Sequence, residues 1–193
     1  LAGGAATDAS RLVWYIGLAT IPAGLVGLLA GGFIESELRN LPVIATTTLL
    51  FGLLLGVADR RAGPVQGGRA LTLPVALGIG LAQALAPVPG VSRSGVTITA
   101  ALLLGMDRQA AARFSFLLSI PIIASAGALK AWELSHSAVA VDWLLLGFAA
   151  LLSGVTAYLC IALFLRLLDR LGLMPFVYYR IALAAVLYAL WLA

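Results

Sequence analysis

Long apolar runs separated by short polar breaks extend along the whole chain. The first, Leu12 to Gly32, matches the ~20 residues that one helical crossing of a bilayer requires. Pro42 to Ala58 is a second, slightly short span. Phe114 to Trp132, Trp143 to Leu165 and Phe176 to Leu192 are three more. Two further apolar pieces do not fit this scheme. Leu71 to Val88 is broken near its end by Pro87 and Pro89, and Gly95 to Met106 has only twelve residues. At ~1.5 Å rise per residue, the latter covers roughly half of the hydrocarbon core. Pro89-Gly90 cannot continue a helix. The pattern therefore predicts a re-entrant hairpin over about residues 71–106: Leu71 to Ala86 enters, the Pro-Gly turn sits at depth, and Gly95 to Met106 returns. Non-helical backbone is tolerated at that depth only inside protein or beside a water-filled cavity. The hairpin tip is thus expected to line a cavity.

Composition fixes the class as an all-α, polytopic membrane helix bundle. The chain is 62% hydrophobic and 10% charged, with a mean hydropathy of +1.08, whereas soluble domains average roughly 25% charged residues. Residues 1–193 read as one integral-membrane domain. The net charge of +4 does not indicate a nucleic-acid partner, because the arginines fall in short loops, where they set topology. Cys160 is the single cysteine, which excludes a disulfide within the chain, and its place in an apolar run argues against a thiolate metal site. No signal peptide is recognisable. The chain opens on Leu1 rather than Met, so it is expected to be N-terminally incomplete. Gly27 and Gly31, like Gly52 and Gly56, stand four apart, a spacing that allows close helix contact.

Arginine positions test the hairpin. With re-entry, Arg60, Arg61, Arg69, Arg108, Arg113, Arg166 and Arg170 all fall on one side. Only Arg39 and Lys130 fall on the other. This satisfies the positive-inside rule, which a full crossing by the hairpin would break.

The hairpin tip carries the chemistry. Pro89-Gly90-Val91-Ser92-Arg93-Ser94-Gly95-Val96-Thr97 sets an arginine between two serines and two glycines in apolar surroundings, the usual mark of an intramembrane functional site. Arg93 offers a planar, permanently charged fork suited to phosphate. A helix beginning at Gly95 would aim its free amides at an anion, with Ser94 as N-cap. Ser92, Ser94 and Thr97 add hydroxyls, and Gly90 and Gly95 allow close backbone approach. The competing reading is that the hydroxyls only cap the helix and Arg93 pairs with a carboxylate. The lysine and spacing of a nucleotide-binding P-loop are absent. Gln83 either contacts the ligand or joins helices. His136, between Ser135 and Ser137, reads as a solvated loop residue. Trp132, Trp143, Tyr178 and Tyr179 read as interfacial anchors; Arg180 reads as a snorkelling anchor in preference to a tail of the anion site. Asp107 and Arg108 read as helix caps.

Pro89 to Thr97 resembles the Pro-Gly-x-Ser-Arg-Ser-x-x-Thr signature of the undecaprenyl-pyrophosphate phosphatases, the bacitracin-resistance membrane phosphatases. Gly80-Leu81-Ala82-Gln83-Ala84, Leu104-Gly105-Met106-Asp107-Arg108, Ala111-Ala112-Arg113-Phe114-Ser115-Phe116 and Pro175-Phe176-Val177-Tyr178-Tyr179-Arg180 extend the resemblance over essentially the whole chain. It implies removal of the terminal phosphate from a C55 isoprenyl pyrophosphate, which recycles the lipid carrier of cell-wall synthesis. Arg93, Ser92 and Ser94 would be catalytic, with Gly90, Gly95, Thr97 and Gln83 binding substrate. The resemblance also implies a divalent cation, Mg²⁺ or Ca²⁺, and residence in the bacterial inner membrane with the site open to the periplasm. A homodimer is compatible with this reading. The family has two related halves, forming an inverted repeat. The half that carries a Glu/Gln-x-x-x-Glu motif, a serine-rich turn and a histidine has no counterpart here; Glu35 and Glu37 are not spaced like it. The chain then reads as part of a longer phosphatase, with the metal-binding carboxylates upstream of Leu1, in preference to a reduced homologue without activity, and residues 1–193 alone are expected to show little or no phosphatase activity.

Two other classes compete: a transporter or lipid translocase, which also uses broken helices at anion sites, and a non-catalytic scaffold. Whichever holds, the topology is testable. The loop Asp59 to Ala70 is expected in the cytoplasm and Leu134 to Val141 outside. Single-cysteine labelling on a Cys160→Ala background would show it, and labelling of both loops from one side would break the re-entrant scheme.

Overall fold

The computed structural model describes residues 3–62, 68–136 and 141–193. The centres of the two loops named above, residues 63–67 and 137–140 (Ser137 among them), lie outside the described residues. The described chain is helical throughout: α1 Gly3–Glu37, α2 Leu41–Arg61, α3 Leu73–Gln83, α4 Arg93–Leu103, α5 Arg108–Ser135, α6 Trp143–Leu171 and α7 Met174–Leu192. All but α3 and α4 are long and apolar enough to cross a membrane.

Local sequence explains the helix starts. Asn40 accepts from Val43 N at 3.0 Å, with Pro42 in the first turn of α2. Asp107 caps α5 through Ala110 N at 2.7 Å, and Asp142 caps α6 through Leu145 N at 3.0 Å. Each side-chain oxygen satisfies an amide that has no partner within its helix.

The two short helices form the expected hairpin. Each has 11 residues, about 16 Å at 1.5 Å per residue, too short to cross alone. α3 packs on α1, where Gly80 lies so close to Ala19 that a Cβ would stand 2.4 Å from its carbonyl oxygen. α4 packs on α2 and α5. Helix α2 serves as a ruler. The hairpin base lies beside its C-terminal end, and the tip reaches Thr47 and Thr48. Asp59 and Thr47 are twelve positions apart, about 18 Å along a helix. The hairpin therefore turns back inside the bundle.

A buried ion pair fixes that base. Arg108 Nε lies 2.5 Å from Asp59 Oδ1, and its Nη2 donates to Asp59 O at 2.8 Å. Asp59 is 3% exposed, and its second oxygen accepts from Leu173 N at 3.4 Å. Arg108 is thus an inter-helix tie rather than the cap expected from sequence; Asp107 does cap. Gln109 adds bonds to Leu165 O at 2.9 Å and Asp169 Oδ1 at 2.7 Å. Together these contacts gather the ends of α2 and α6 with the starts of α5 and α7. This is the same-end grouping that re-entry demands of the arginines.

Glycine spacing behaves differently at the two places it occurs. A Cβ at Gly52 would stand 3.0 Å from Arg180 Cβ, and one at Gly56 3.2 Å from Val177 Cγ1, so this pair lets α7 approach α2. Gly27 and Gly31 face open space. Helix α6 leaves its apolar side chains largely exposed and joins the rest through edge-to-face Phe116–Phe164 at 5.4 Å and tilted Phe164–Phe176 at 4.9 Å. An apolar, outward-facing helix of this kind suits lipid contact.

Removing one partner of a buried ion pair strands the other. Asp59→Ala should destabilise the protein in detergent by about 3 kcal/mol, and Arg108→Ala by a similar amount. The double variant should lose clearly less than the sum, as read from thermal unfolding. Additive losses would show that the pair is not coupled.

Candidate active site at the hairpin tip

The tip is a strained turn. After α3, residues 84–88 continue as tight turns, with Ala86 N donating to Gln83 O at 2.9 Å and Val88 N to Leu85 O at 3.1 Å. Gly90 then takes φ +87°. A Cβ there would stand 2.1 Å from Thr47 Oγ1 and 2.5 Å from Ile44 O, so only glycine fits, for both conformation and space. This glycine serves the turn and the contact with α2. Ser92 follows with φ +67°, the only non-glycine residue in that region among those described. Such a conformation costs about 1–2 kcal/mol for an L-residue.

Its capping role offsets part of that cost. Helix α4 starts at Arg93, two residues earlier than expected, and Ser92 rather than Ser94 is the N-cap, accepting from Gly95 N at 3.3 Å. Thr97 also departs from expectation. It is 1% exposed, with Oγ1 2.9 Å from Arg93 O and 2.6 Å from Ser115 Oγ. Its hydroxyl joins α4 to α5 and does not face a cavity. The reason is helical geometry: position 97 lies one turn beyond 93 on the side that packs on α5.

The remaining candidates divide between two cavities. Arg93 and Gln83 face a cavity of about 630 Å³ between α1, the hairpin tip and α5, whose wall also includes Thr20, Gly24, Pro87 and Ser125. Ser92, Ser94 and Gly95 face another of about 320 Å³, floored by Phe116 and Phe164. Consecutive residues at the start of α4 thus line different cavities.

The larger cavity holds unmet polar capacity. Gln83 is fully buried, and neither its Nε2 nor its Oε1 has a hydrogen-bond partner. Arg93 Nη1 is likewise buried and unpartnered. Each such group costs about 1–3 kcal/mol when left unsatisfied, and more when charged. An unpartnered amide and guanidinium nitrogen in the wall of one cavity suit an oxyanion with several acceptor oxygens. The described donors here are a cation, an amide and hydroxyls. They fit phosphate oxygens and do not themselves form a divalent-metal site. Among the described residues, no group of three or more His, Cys, Asp or Glu could hold a metal ion.

Arg180 is not the membrane-surface anchor expected from sequence. Its Nη2 donates to Gly90 O at 2.7 Å and Val91 O at 3.2 Å, and its Nε to Thr48 O at 3.2 Å. It also borders the smaller cavity. A single arginine within the apolar run of α7 was the sequence signal for such a role. His136 meets expectation: it is exposed, ends α5, and stacks on Trp132 at 3.9 Å.

A bundle of apolar spans with a broken-helix hairpin at its centre defines a multi-pass membrane protein with a polar site at the depth of the turn. Comparison with known proteins narrows this class. The profile of the family described as bacitracin resistance protein BacA matches residues 2–186. The undecaprenyl-diphosphatase of Teredinibacter turnerae is 54% identical over 186 residues, covering 96% of this chain and 70% of that protein. That of Chromohalobacter salexigens is 57% identical over 191 residues, covering 99% and 72%. Undecaprenyl-diphosphatase 2 of Stutzerimonas stutzeri is 54% identical over 185 residues, covering 94% and 68%. The chain belongs to the BacA family.

The orphaned amide gives a sign-sensitive test. Gln83→Leu keeps the volume and removes two unmet polar atoms. If Gln83 waits for a ligand, this variant should unfold at the same or a higher temperature, while KM for a polyprenyl pyrophosphate rises by about tenfold. A fall in stability with KM unchanged would make Gln83 a structural residue.

Proposed function

We propose that the protein hydrolyses undecaprenyl pyrophosphate to the monophosphate and phosphate, recycling the lipid carrier for cell-wall synthesis and giving bacitracin resistance. Membership of the BacA family and relatives named undecaprenyl-diphosphatase support the reaction. The observation that carries the site is the pair of unpartnered buried groups, Arg93 Nη1 and the Gln83 amide, on two residues that line one cavity.

Phosphoryl transfer is largely positioning and charge stabilisation. In the proposed complex Arg93 clamps the phosphate oxygens with its planar fork, and the Gln83 amide donates to a further oxygen. Both exchange an unsatisfied state for charge-assisted hydrogen bonds, so the cost of burying them is recovered when substrate binds. The cavity is otherwise mostly apolar, lined by α1 and α5 residues such as Leu28, Ile123 and Leu129. A dry wall strengthens the field that Arg93 exerts on developing charge. Ser92 and Ser94 contribute from the far side of the same turn: Ser92 fixes the start of α4, and Ser94 and Gly95 lie beside it. The carboxylates that a divalent cation, Mg²⁺ or Ca²⁺, would need are not among the described residues lining this cavity.

The protein resides in the bacterial cytoplasmic membrane in this proposal, with the site open to the outer face. Two features support that sense. The arginine-rich end holding Asp59 and Arg108 is the inner one by the positive-inside rule. The large cavity extends along α1 and α5 to Leu28 and Leu129, away from that end.

The test is phosphate release from a polyprenyl pyrophosphate by the protein expressed from its complete reading frame in detergent. Arg93→Lys keeps the charge and loses the fork, and should lower kcat/KM by about 10²-fold. Near-native turnover would remove Arg93 from the site, and vesicle uptake of the lipid without hydrolysis would favour a translocase.

A further inference from the structure

We propose that Arg180 is a positioning residue that holds the catalytic turn in its strained shape from the face opposite Arg93. The proposal rests on the phosphatase reading for its kinetic consequences and on geometry alone for its structural ones. The turn presents the carbonyls of Pro89, Gly90 and Val91 at the depth of the hairpin tip, outside any helix, where they need partners from the surrounding protein or its cavities. Thr47 Oγ1 lies 2.6 Å from Pro89 O, but that hydroxyl also lies 2.8 Å from Val43 O and has one proton to give. Thr48 reaches Gly90 O only at 3.4 Å. Arg180 supplies the short contact, Nη2 to Gly90 O at 2.7 Å, and bridges the same nitrogen to Val91 O. Its Nε ties the assembly to Thr48 O in the middle of α2.

These carbonyls immediately precede Ser92, the residue with φ +67°. Releasing them lets Ser92 relax to negative φ. That rotation moves its hydroxyl off Gly95 N and swings the next residue, Arg93, away from Gln83. Arg180 itself borders the smaller cavity and not the one that Arg93 and Gln83 face, so its effect reaches the phosphate through the backbone. The approach is built into α7 and α2 together: Gly52 leaves room for the Arg180 side chain, with a Cβ there only 3.0 Å from Arg180 Cβ and 3.3 Å from its Nε.

Arg180→Lys and Arg180→Gln, in the protein expressed from its complete reading frame, test this in two ways. Kinetically, both should lower kcat by about 10²-fold with KM changed by less than about threefold, the loss typical of a misplaced catalytic group. The double variant Arg93→Lys/Arg180→Lys should lose no more than Arg93→Lys alone, because both act on one group. Multiplying losses would mean that Arg180 meets the substrate itself, and unchanged kcat would mean that it does nothing to the turn. Either outcome overturns the proposal, as does an activity loss that only follows a lower folded fraction at the assay temperature. Independently of any phosphatase activity, a single cysteine at Ser94 on a Cys160→Ala background reports the turn. Its maleimide labelling should speed up at least about tenfold in Arg180→Gln. An unchanged rate would overturn the structural claim even if the protein released no phosphate.

Discussion

Everything in this structure depends on satisfying the main-chain carbonyls of one turn inside an apolar bundle. A polypeptide that reverses at depth leaves peptide groups outside any helix, and each one buried without a partner costs several kcal/mol. The chain meets this cost with side chains from two neighbouring helices, Thr47 and Thr48 on α2 and Arg180 on α7. The pairing of α2 with α7 follows from the same need. Gly52 and Gly56 bring the helices close enough for Arg180 to reach across. Gly90 in turn lets the loop descend onto α2 without a side chain in the way. Three glycines and one arginine, far apart in sequence, serve a single reversal of the backbone.

What the turn gains is a division of labour between adjacent residues. The start of α4 sends Arg93 to one cavity and both Ser92 and Ser94 to another. Arg93 enters the cavity shared with α1 and α5, while its neighbours face α6 and α7. The strain at Ser92 and the unmet capacity of Arg93 and Gln83 are departures from a relaxed, satisfied interior. Such departures concentrate where a ligand is handled. Here they are neighbours in space, on one turn, in a family whose named relatives act on a lipid pyrophosphate. An amphiphile of that kind, a charged head on an apolar tail, matches a polar tip set in greasy walls.

Much of this was legible in the sequence. Span length and the arginine bias identified five crossings and a hairpin, because both rest on bilayer dimensions and loop charge, which are properties of composition. The nine-residue signature located the turn, because proline and glycine cannot be absorbed into a helix. The direction of each side chain was not legible. Helix α4 begins two residues earlier than the glycine pattern suggested, since Ser92 adopts positive φ and caps from outside; that shift reassigns the cap from Ser94. Thr97 looked like part of the ligand set until its pairing with Ser115 placed it in a helix interface. Arg180 looked like a surface anchor, because nothing local distinguishes an arginine that snorkels from one that spans to a carbonyl ninety residues away. The Asp59–Arg108 tie was hidden for the same reason: long-range pairing is a property of the packed bundle, and each residue alone resembles a loop charge.

The most direct measurement is a structure of the protein bound to a non-hydrolysable polyprenyl pyrophosphate analogue. The account predicts phosphate oxygens within hydrogen-bonding distance of Arg93 Nη1 and the Gln83 amide, in the cavity between α1, the hairpin tip and α5. Ser92 should keep its positive φ, and Arg180 should remain on the carbonyls of Gly90 and Val91. Phosphate bound instead on the α6–α7 side, against Arg180 and Ser94 with Arg93 unliganded, would contradict it.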